Sequence, residues 1–270
     1  MKFTIFGSKG FIGSNLVTYL ENNGHECFTP DIRVDDTSSQ SLGHVIYAIG
    51  VPDFKNRIFD SIEAHVCLLQ NLLKKNNFDS FLYLSGTRLY QHNQSTKETD
   101  PITVHPFEVN DLYNISKALG DCLCLSINNP KIRTVRLSNV SGNNFNSTLF
   151  LPSIIRDSIL KKKIILNSSL KSEKDYVHID DVVKLLSQIS LHGHSRIYNI
   201  ASGKNTANEE IVSKLSEITQ CEVKVIDNAP LYSFPTISIE QITTEFDFKP
   251  TSVVDTIEDM ITNFRNYLRN

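Results

Sequence analysis

The chain has no hydrophobic run of membrane-spanning length, no repeat or low-complexity tract, and no strong charge of either sign. Each absence removes a class of function. Without about 20 consecutive apolar residues there is no transmembrane helix to place. A net charge of −3, from 27 basic and 30 acidic residues that interleave along 270 positions, supplies no electrostatic footprint for nucleic acid or a membrane surface. The one basic run, Lys161, Lys162 and Lys163, reads as a solvated helix end. Cysteine is sparse: Cys27, Cys67, Cys122, Cys124 and Cys221 are odd in number and lack metal-ligand or redox spacing, so no metal site is expected. They fit reduced thiols in a cytoplasmic protein. A strand expected from residue 2 leaves no room for a signal peptide.

What is present is a glycine turn between two periodic segments. Lys2 to Phe6 is an apolar run, Gly7, Gly10 and Gly13 follow it, and Leu16, Val17 and Leu20 recur at helical spacing. Strand, tight turn and helix in that order form a dinucleotide-binding pattern. The first glycine permits the turn, the second lets backbone approach a pyrophosphate, and the third lets the helix pack closely. Amides at the helix start, those of Phe11 and Ile12 among them, then face the phosphates. A second strand is expected over Glu26 to Pro30, with Asp31 at its carboxyl end about 20 residues beyond the glycines. A carboxylate there receives the adenosine ribose hydroxyls and favours NAD. Arg33, two residues on, would instead meet the extra phosphate of NADP.

Downstream, apolar runs alternate with helical patterns, as a parallel sheet with crossovers requires. Asp31 and the next strand, His44 to Ile49, lie too close for a full strand and crossover helix, so the third strand region is expected to be shortened or lost. Ile58 to Asn77 reads as a helix with Ile62, Val66, Leu69, Leu72 and Leu73 on one face. A short buried strand, Phe81 to Leu84, leads into Ser85, Gly86, Thr87, Arg88, Leu89 and Tyr90. Asp111 to Ile127 reads as a helix capped by Asn110. It aligns Tyr113, Lys117 and Asp121 on one stripe, so phenol and ammonium are neighbours one turn apart. A neighbouring cation favours phenolate, which makes the pair a candidate acid/base.

The order Gly-x-x-Gly-x-x-Gly, Leu84-Ser-Gly-Thr-Arg-Leu-Tyr90, Tyr113-x-x-x-Lys117, Arg136-Leu-Ser-Asn139, Lys174-Asp-Tyr and Tyr198-Asn-Ile resembles the extended short-chain dehydrogenase/reductases, the NAD-dependent epimerase/dehydratase family of nucleotide-sugar enzymes. The resemblance implies an α/β fold: a Rossmann-type doubly wound parallel sheet with a smaller α-rich C-terminal substrate lobe. The dinucleotide domain would take 1–142 and 176–201, and the lobe 143–175 and 202–270, with helices at 151–160, 207–219 and 253–268. It implies Tyr113 as general acid/base and Lys117 as the residue that holds the nicotinamide ribose and lowers the phenol pKa. Asn139 and Lys174 would bind a nucleotide-diphosphate sugar, and the protein would form a homodimer.

Two departures bear on mechanism. Four residues before Tyr90, where the family places a catalytic Ser or Thr, stands Gly86, which leaves Ser85 or Thr87 as the candidate hydroxyl. Directly after it stand Thr87 and Arg88 rather than an acidic pair, which disfavours dehydration. The expected activity is NAD(P)-dependent reduction of a 4-keto sugar. The alternatives are C4 epimerisation with retained NAD, and a catalytically silent dinucleotide-binding sensor or assembly protein.

Overall fold

The computed structural model describes residues 1–51, 55–75 and 77–269. The chain runs β1 (Lys2–Phe6), α1 (Phe11–Asn22), β2 (Glu26–Phe28), β3 (His44–Tyr47), α2 (Ile58–Ile62), a π-helical turn (Glu63–Cys67) and α3 (Leu68–Lys75). It continues through β4 (Ser80–Gly86), a 3₁₀ turn (Thr87–Tyr90), α4 (Asp111–Ser126), β5 (Ile132–Leu137), β6 (Asn139–Ser141), α5 (Phe150–Leu160), β7 (Lys163–Leu166) and β8 (Glu173–His178). The remainder is α6 (Ile179–His192), β9 (Ile197–Ile200), β10 (Asn205–Ala207), α7 (Asn208–Thr219), β11 (Glu222–Val225), α8 (Glu240–Phe246) and α9 (Val253–Tyr267). Two compact units result. The first comprises 1–138, 182–200 and 238–248; the second comprises 139–181, 201–237 and the chain from 249.

The first unit is built on a parallel sheet ordered β2-β1-β3-β4-β5-β9. The order reverses at β1, so the carboxyl ends of β1 and β3 flank the crevice where such sheets take ligands. Among the described residues no strand lies between β2 and β3, and β2 is the sheet edge. The lost third strand expected from the short spacing is therefore found. Phe3, Ile5, Val45, Phe81, Leu82 and Val135 are buried along the central strands, which accounts for near-continuous apolar runs instead of alternation. Helix α4 lies close on β4 because Gly120 has no side chain: a Cβ there would fall 2.7 Å from Tyr83 Cε1.

Several boundaries differ from the sequence reading. The helix expected from Ile58 ends at Lys75; Asn76 lies outside the described residues, and Asn77 pairs with Ser41 in an isolated bridge. The helix is also not uniform. Its buried positions are Ser61 in α2, Ala64 and His65 within the π-helical turn, and Leu69 and Leu72 in α3. The extra residue of the π turn shifts the helical phase, so Ile62 and Val66 are only half-buried and His65 is turned inward. Asn110 precedes α4 in helical backbone geometry and makes no side-chain cap. Residues 238–248, assigned from sequence to the second lobe, pack with the first unit: Gln241 Nε2 donates to Ile197 O at 2.7 Å, and Ser238 N to Thr96 Oγ1 at 2.8 Å.

The second unit carries a three-stranded sheet, β10-β8-β6, and a parallel pair, β11-β7. Leu151 and Ile154 of α5, Ile211 and Leu215 of α7, and Ile257 and Ile261 of α9 close its core. No helix among the described residues is long and apolar enough to cross a membrane.

Candidate active site

The glycine turn leaves β1 at Gly7, whose φ of +88° suits glycine alone. A Cβ there would also stand 2.8 Å from the Ala48 carbonyl carbon beyond β3, so the turn is pressed onto the neighbouring strand's exit. Gly10 N donates to Gly7 O at 3.0 Å and closes the turn. Gly13 has its backbone against the turn itself: an added Cβ would lie 2.8 Å from Gly7 C and Ser8 Cα and closer still to Gly7 O. Helix α1 then begins with no side-chain cap and no acidic residue in its first turn. The leading amides at Phe11, Ile12 and Gly13 are thus left to an external acceptor, with the positive end of the helix dipole behind them. That arrangement fits a pyrophosphate.

Asp31 stands three residues beyond β2, because the strand ends at Phe28 instead of reaching Pro30. Its Oδ1 accepts from Arg33 N at 3.1 Å, and its own N–H donates to Asp35 Oδ2 at 2.7 Å. Asp31 and Arg33 are both exposed.

At the carboxyl end of β4 the structure brings Gly86 and Tyr113 together: the phenol oxygen lies 3.3 Å from the position a Gly86 Cβ would take. The residue facing the phenol is therefore the glycine, as the count back from Tyr90 implied. Ser85 is buried on the Asp121 side; burial raises the Asp121 pKa, and the Arg136 charge with a smaller contribution from Ser85 opposes it. Thr87 opens the 3₁₀ turn one residue beyond Gly86 and is half-buried.

Lys117 follows Tyr113 by one turn, as its spacing requires, yet its ammonium is engaged elsewhere. Nζ donates to Leu84 O at 2.8 Å and stands 5.0 Å from the centre of the Tyr83 ring. Burial lowers the Lys117 pKa to about 8, opposed by the Asp121 carboxylate. Burial raises the Tyr113 pKa, and the cation that opposes this is Arg88, whose Cζ is 6.0 Å from the ring centre. Arg88 is thus a second cation beside the phenol, in addition to the Lys117 expected one helical turn away. The sequence weighed Arg88 only as the residue standing where an acid was looked for. Its charge reaches Tyr113 because the 3₁₀ turn folds it back over α4.

Behind these groups lies a buried polar network. Arg136 Nε donates to Asp121 Oδ2 at 3.0 Å, and its Nη1 donates to Tyr90 Oη at 2.6 Å and Glu98 O at 3.2 Å. Tyr90 in turn donates to Asn199 Oδ1 at 2.9 Å. The Tyr90, Arg136 and Asn199 motifs therefore lock the 3₁₀ turn to β5 and β9. His65 is a neighbour that sequence periodicity missed. Its ring meets the Tyr113 ring edge-on with centroids 5.6 Å apart, and the signal for it in the sequence was no more than a histidine beside Val66 on an amphipathic helix.

Asn139 and Lys174 belong to the second unit, on the paired strands β6 and β8. Asn139 Nδ2 donates to Asp175 O at 2.8 Å, and Lys174 Nζ sits 5.5 Å from the Phe150 ring centre.

The sequence model of the NAD dependent epimerase/dehydratase family matches residues 3–201, which hold the glycine turn, Tyr113 and Lys117. The chain belongs to the NAD dependent epimerase/dehydratase family. Among curated relatives of this family member, GDP-6-deoxy-D-mannose reductase of Pseudomonas aeruginosa is 23% identical over 254 residues, covering 83% of this chain and 82% of the relative. Among solved structures, MoeE5 with UDP-glucose and NAD superposes with a TM-score of 0.83 at 18% identity, over 99% of this chain and 100% of that one. RMD from Pseudomonas aeruginosa with NADPH gives 0.79 at 17% identity, over 98% of this chain and 100% of that one. At such identities the structural likeness is one of fold.

Proposed function

We propose that this epimerase/dehydratase family member is an NAD(P)-dependent oxidoreductase of nucleotide-linked sugars that reduces a 4-keto group. The observation that carries the reading is the Tyr113 phenol at the carboxyl end of β4, beside Gly86 and over the same sheet edge that presents the glycine turn. In this reading the turn at Gly7, Gly10 and Gly13 and the uncapped start of α1 hold the pyrophosphate. Asp31 or Arg33 distinguishes NAD from NADP. Asn139 and Lys174 of the second unit serve the sugar nucleotide.

A reduced nicotinamide supplies the hydride in this chemistry; proton delivery and positioning fall to the protein. Burial keeps Tyr113 protonated at neutral pH, which suits a group whose first act is to give a proton to a carbonyl oxygen. Arg88 stabilises the phenolate left behind, because its guanidinium lies over the ring and carries its charge at all working pH. Lys117, whose ammonium donates to Leu84 O and has further protons to give, serves a ribose hydroxyl in this reading. With Thr87 and Arg88 in place of an acidic pair, no carboxylate stands directly after Gly86 to manage the second proton that loss of water demands.

The test is to mix purified protein with NADH or NADPH and GDP-, UDP- or dTDP-linked 4-keto-6-deoxy sugars and to follow nicotinamide absorbance and product by mass spectrometry. Consumption of cofactor that Tyr113→Phe abolishes is the expected result. No consumption with any of them refutes the reductase reading, and tightly retained NAD in that case would redirect it to C4 epimerisation.

A further inference from the structure

Gly86 brings no side chain to the β4 exit, where it faces the Tyr113 phenol. The three atoms nearest to a Cβ built on Gly86 are Tyr113 Oη at 3.3 Å, Leu137 O at 3.8 Å and Tyr113 Cε1 at 4.0 Å. Leu137 O is a carbonyl oxygen and can only accept. Ser85, the preceding residue, is buried toward Asp121. Reduction of a ketone builds negative charge on its oxygen, and a second donor beside the phenol stabilises that charge.

Arg88, two residues farther on, is half-buried with its Cζ over the Tyr113 ring at 6.0 Å from the ring centre. Its backbone is fixed: Gln91 N donates to Arg88 O at 3.0 Å, and the next two residues, Leu89 and Tyr90, are buried. Its side chain is oriented from two sides. Nε donates to Gln91 Oε1 at 3.3 Å, and the charge is attracted by the buried Asp111 carboxylate, which His105 N at 2.6 Å and Asn114 Nδ2 at 2.8 Å hold in place. A guanidinium carries five N–H donors in one plane and stays charged at all working pH. Its nitrogens lie about 1.3 Å from Cζ and reach an acceptor about 2.9 Å farther, so its hydrogen bonds end about 4 Å from Cζ. One oxygen bonded to the phenol at about 2.7 Å therefore comes within reach of both groups.

We infer that Arg88 is a catalytic residue whose guanidinium donates a hydrogen bond to the substrate carbonyl oxygen that Tyr113 protonates, in place of the hydroxyl that Gly86 lacks. This rests on the reductase reading above and goes beyond support of the phenolate. As hydride from a reduced nicotinamide adds to the carbonyl carbon, the C=O π pair moves onto the oxygen, and Tyr113 gives that oxygen its proton. The phenolate left behind is reprotonated by water. Arg88 keeps all its protons throughout and acts only by hydrogen bonding and charge.

Two measurements test this, with GDP-, UDP- and dTDP-linked 4-keto-6-deoxy hexoses carrying ¹³C at C4 as probes. The first is ¹³C NMR of the sugar on full-length protein free of nicotinamide, where a hydrogen-bonded carbonyl carbon moves downfield. The expected result is a downfield shift on binding that Arg88→Met and Tyr113→Phe each remove in part; a shift that Arg88→Met leaves unchanged overturns the inference. The second is turnover with NADH or NADPH. Arg88→Met should lower kcat by about 10²–10³ with little change in KM, and Gly86→Ser should gain about tenfold more in that variant than in the unmodified protein, because either donor replaces the other. Arg88→Gln, neutral but with an NH₂ donor, should recover part of the loss. Equal gains from Gly86→Ser in both backgrounds, or a Gln variant as slow as the Met variant, would confine Arg88 to the phenolate and overturn the inference. Loss of rate from Thr87→Val instead of Arg88→Met would place the donor at Thr87 and do the same. Sugar signals unmoved by the protein mark failure of the nucleotide-sugar reading, and the inference falls with it. Binding without turnover refutes the reductase reading and leaves the carbonyl shift to decide whether Arg88 donates. Should Arg88→Met not fold, ¹⁵N NMR of the arginine-labelled unmodified protein decides, since the Arg88 guanidinium signal must move on adding the sugar.

Discussion

Replacing Asp121 by asparagine removes one charge from the most buried ion pair in the first unit. Asp121 is 2% exposed and Arg136 is 4% exposed, and they meet at 3.0 Å. An asparagine keeps the shape and leaves the Arg136 guanidinium without a counter-charge in the interior. Breaking a buried pair in this way costs about 3–5 kcal/mol. At about 2–4 °C per kcal/mol for a domain of this size, the melting temperature should fall by roughly 6–20 °C. Circular dichroism melts near neutral pH measure it directly. Removing both charges, in Asp121→Asn with Arg136→Met, should cost far less than the two single losses added, because no unpaired ion remains. The same substitution removes the carboxylate that supports the charge on Lys117, so the lysine should titrate below its present value of about 8, which lysine-selective NMR reads. The reasoning fails if Asp121→Asn melts within about 3 °C of the unmodified protein. Burial drives the Asp121 carboxyl pKa upward, and that outcome would mean the group is held protonated and the pair is not ionic.

Lys117 also gives stability a pH dependence of definite sign. Its pKa falls from 10.5 to about 8 in the folded chain, so between those values the unfolded chain binds more protons and stability rises with pH. Urea unfolding at about pH 7.5 and about pH 9.5 should show this rise, and Lys117→Met should remove that contribution. Gly13→Ala should abolish NADH binding, because its Cβ would press into Gly7 and Ser8 backbone that cannot swing aside; an unchanged fluorescence titration would dismiss the turn as a binding element. Gly86→Ser should raise kcat about tenfold on a 4-keto sugar nucleotide, a fraction of the 10²–10³ that an absent oxyanion donor costs. The gain is partial because the phenol, 3.3 Å from the new Cβ, must give way slightly, and a slower enzyme would show that it does not. Tyr113→Phe should lower kcat by about 10²–10⁴ with the fold intact, and undiminished turnover would remove the phenol from the mechanism.

The sequence by itself determined the parts of this protein that depend on a few consecutive residues. The strand, glycine turn and helix at the N-terminus follow from local period and from the φ that Gly7 alone tolerates. Tyr113, Lys117 and Asp121 share a stripe because α-helical geometry repeats every 3.6 residues. The missing third strand was legible as a shortage of chain between Asp31 and His44, and the glycine facing Tyr113 as a count from Tyr90. Only the tertiary structure decided which charges meet. That Arg88 lies over the Tyr113 ring, that Asp121 pairs with Arg136, and that His65 is turned inward at the π-helical turn are outcomes of packing between segments tens of residues apart. Local geometry fixes spacing along one element. Electrostatics and hydrogen bonding depend on distances between elements, and those are set when the core closes.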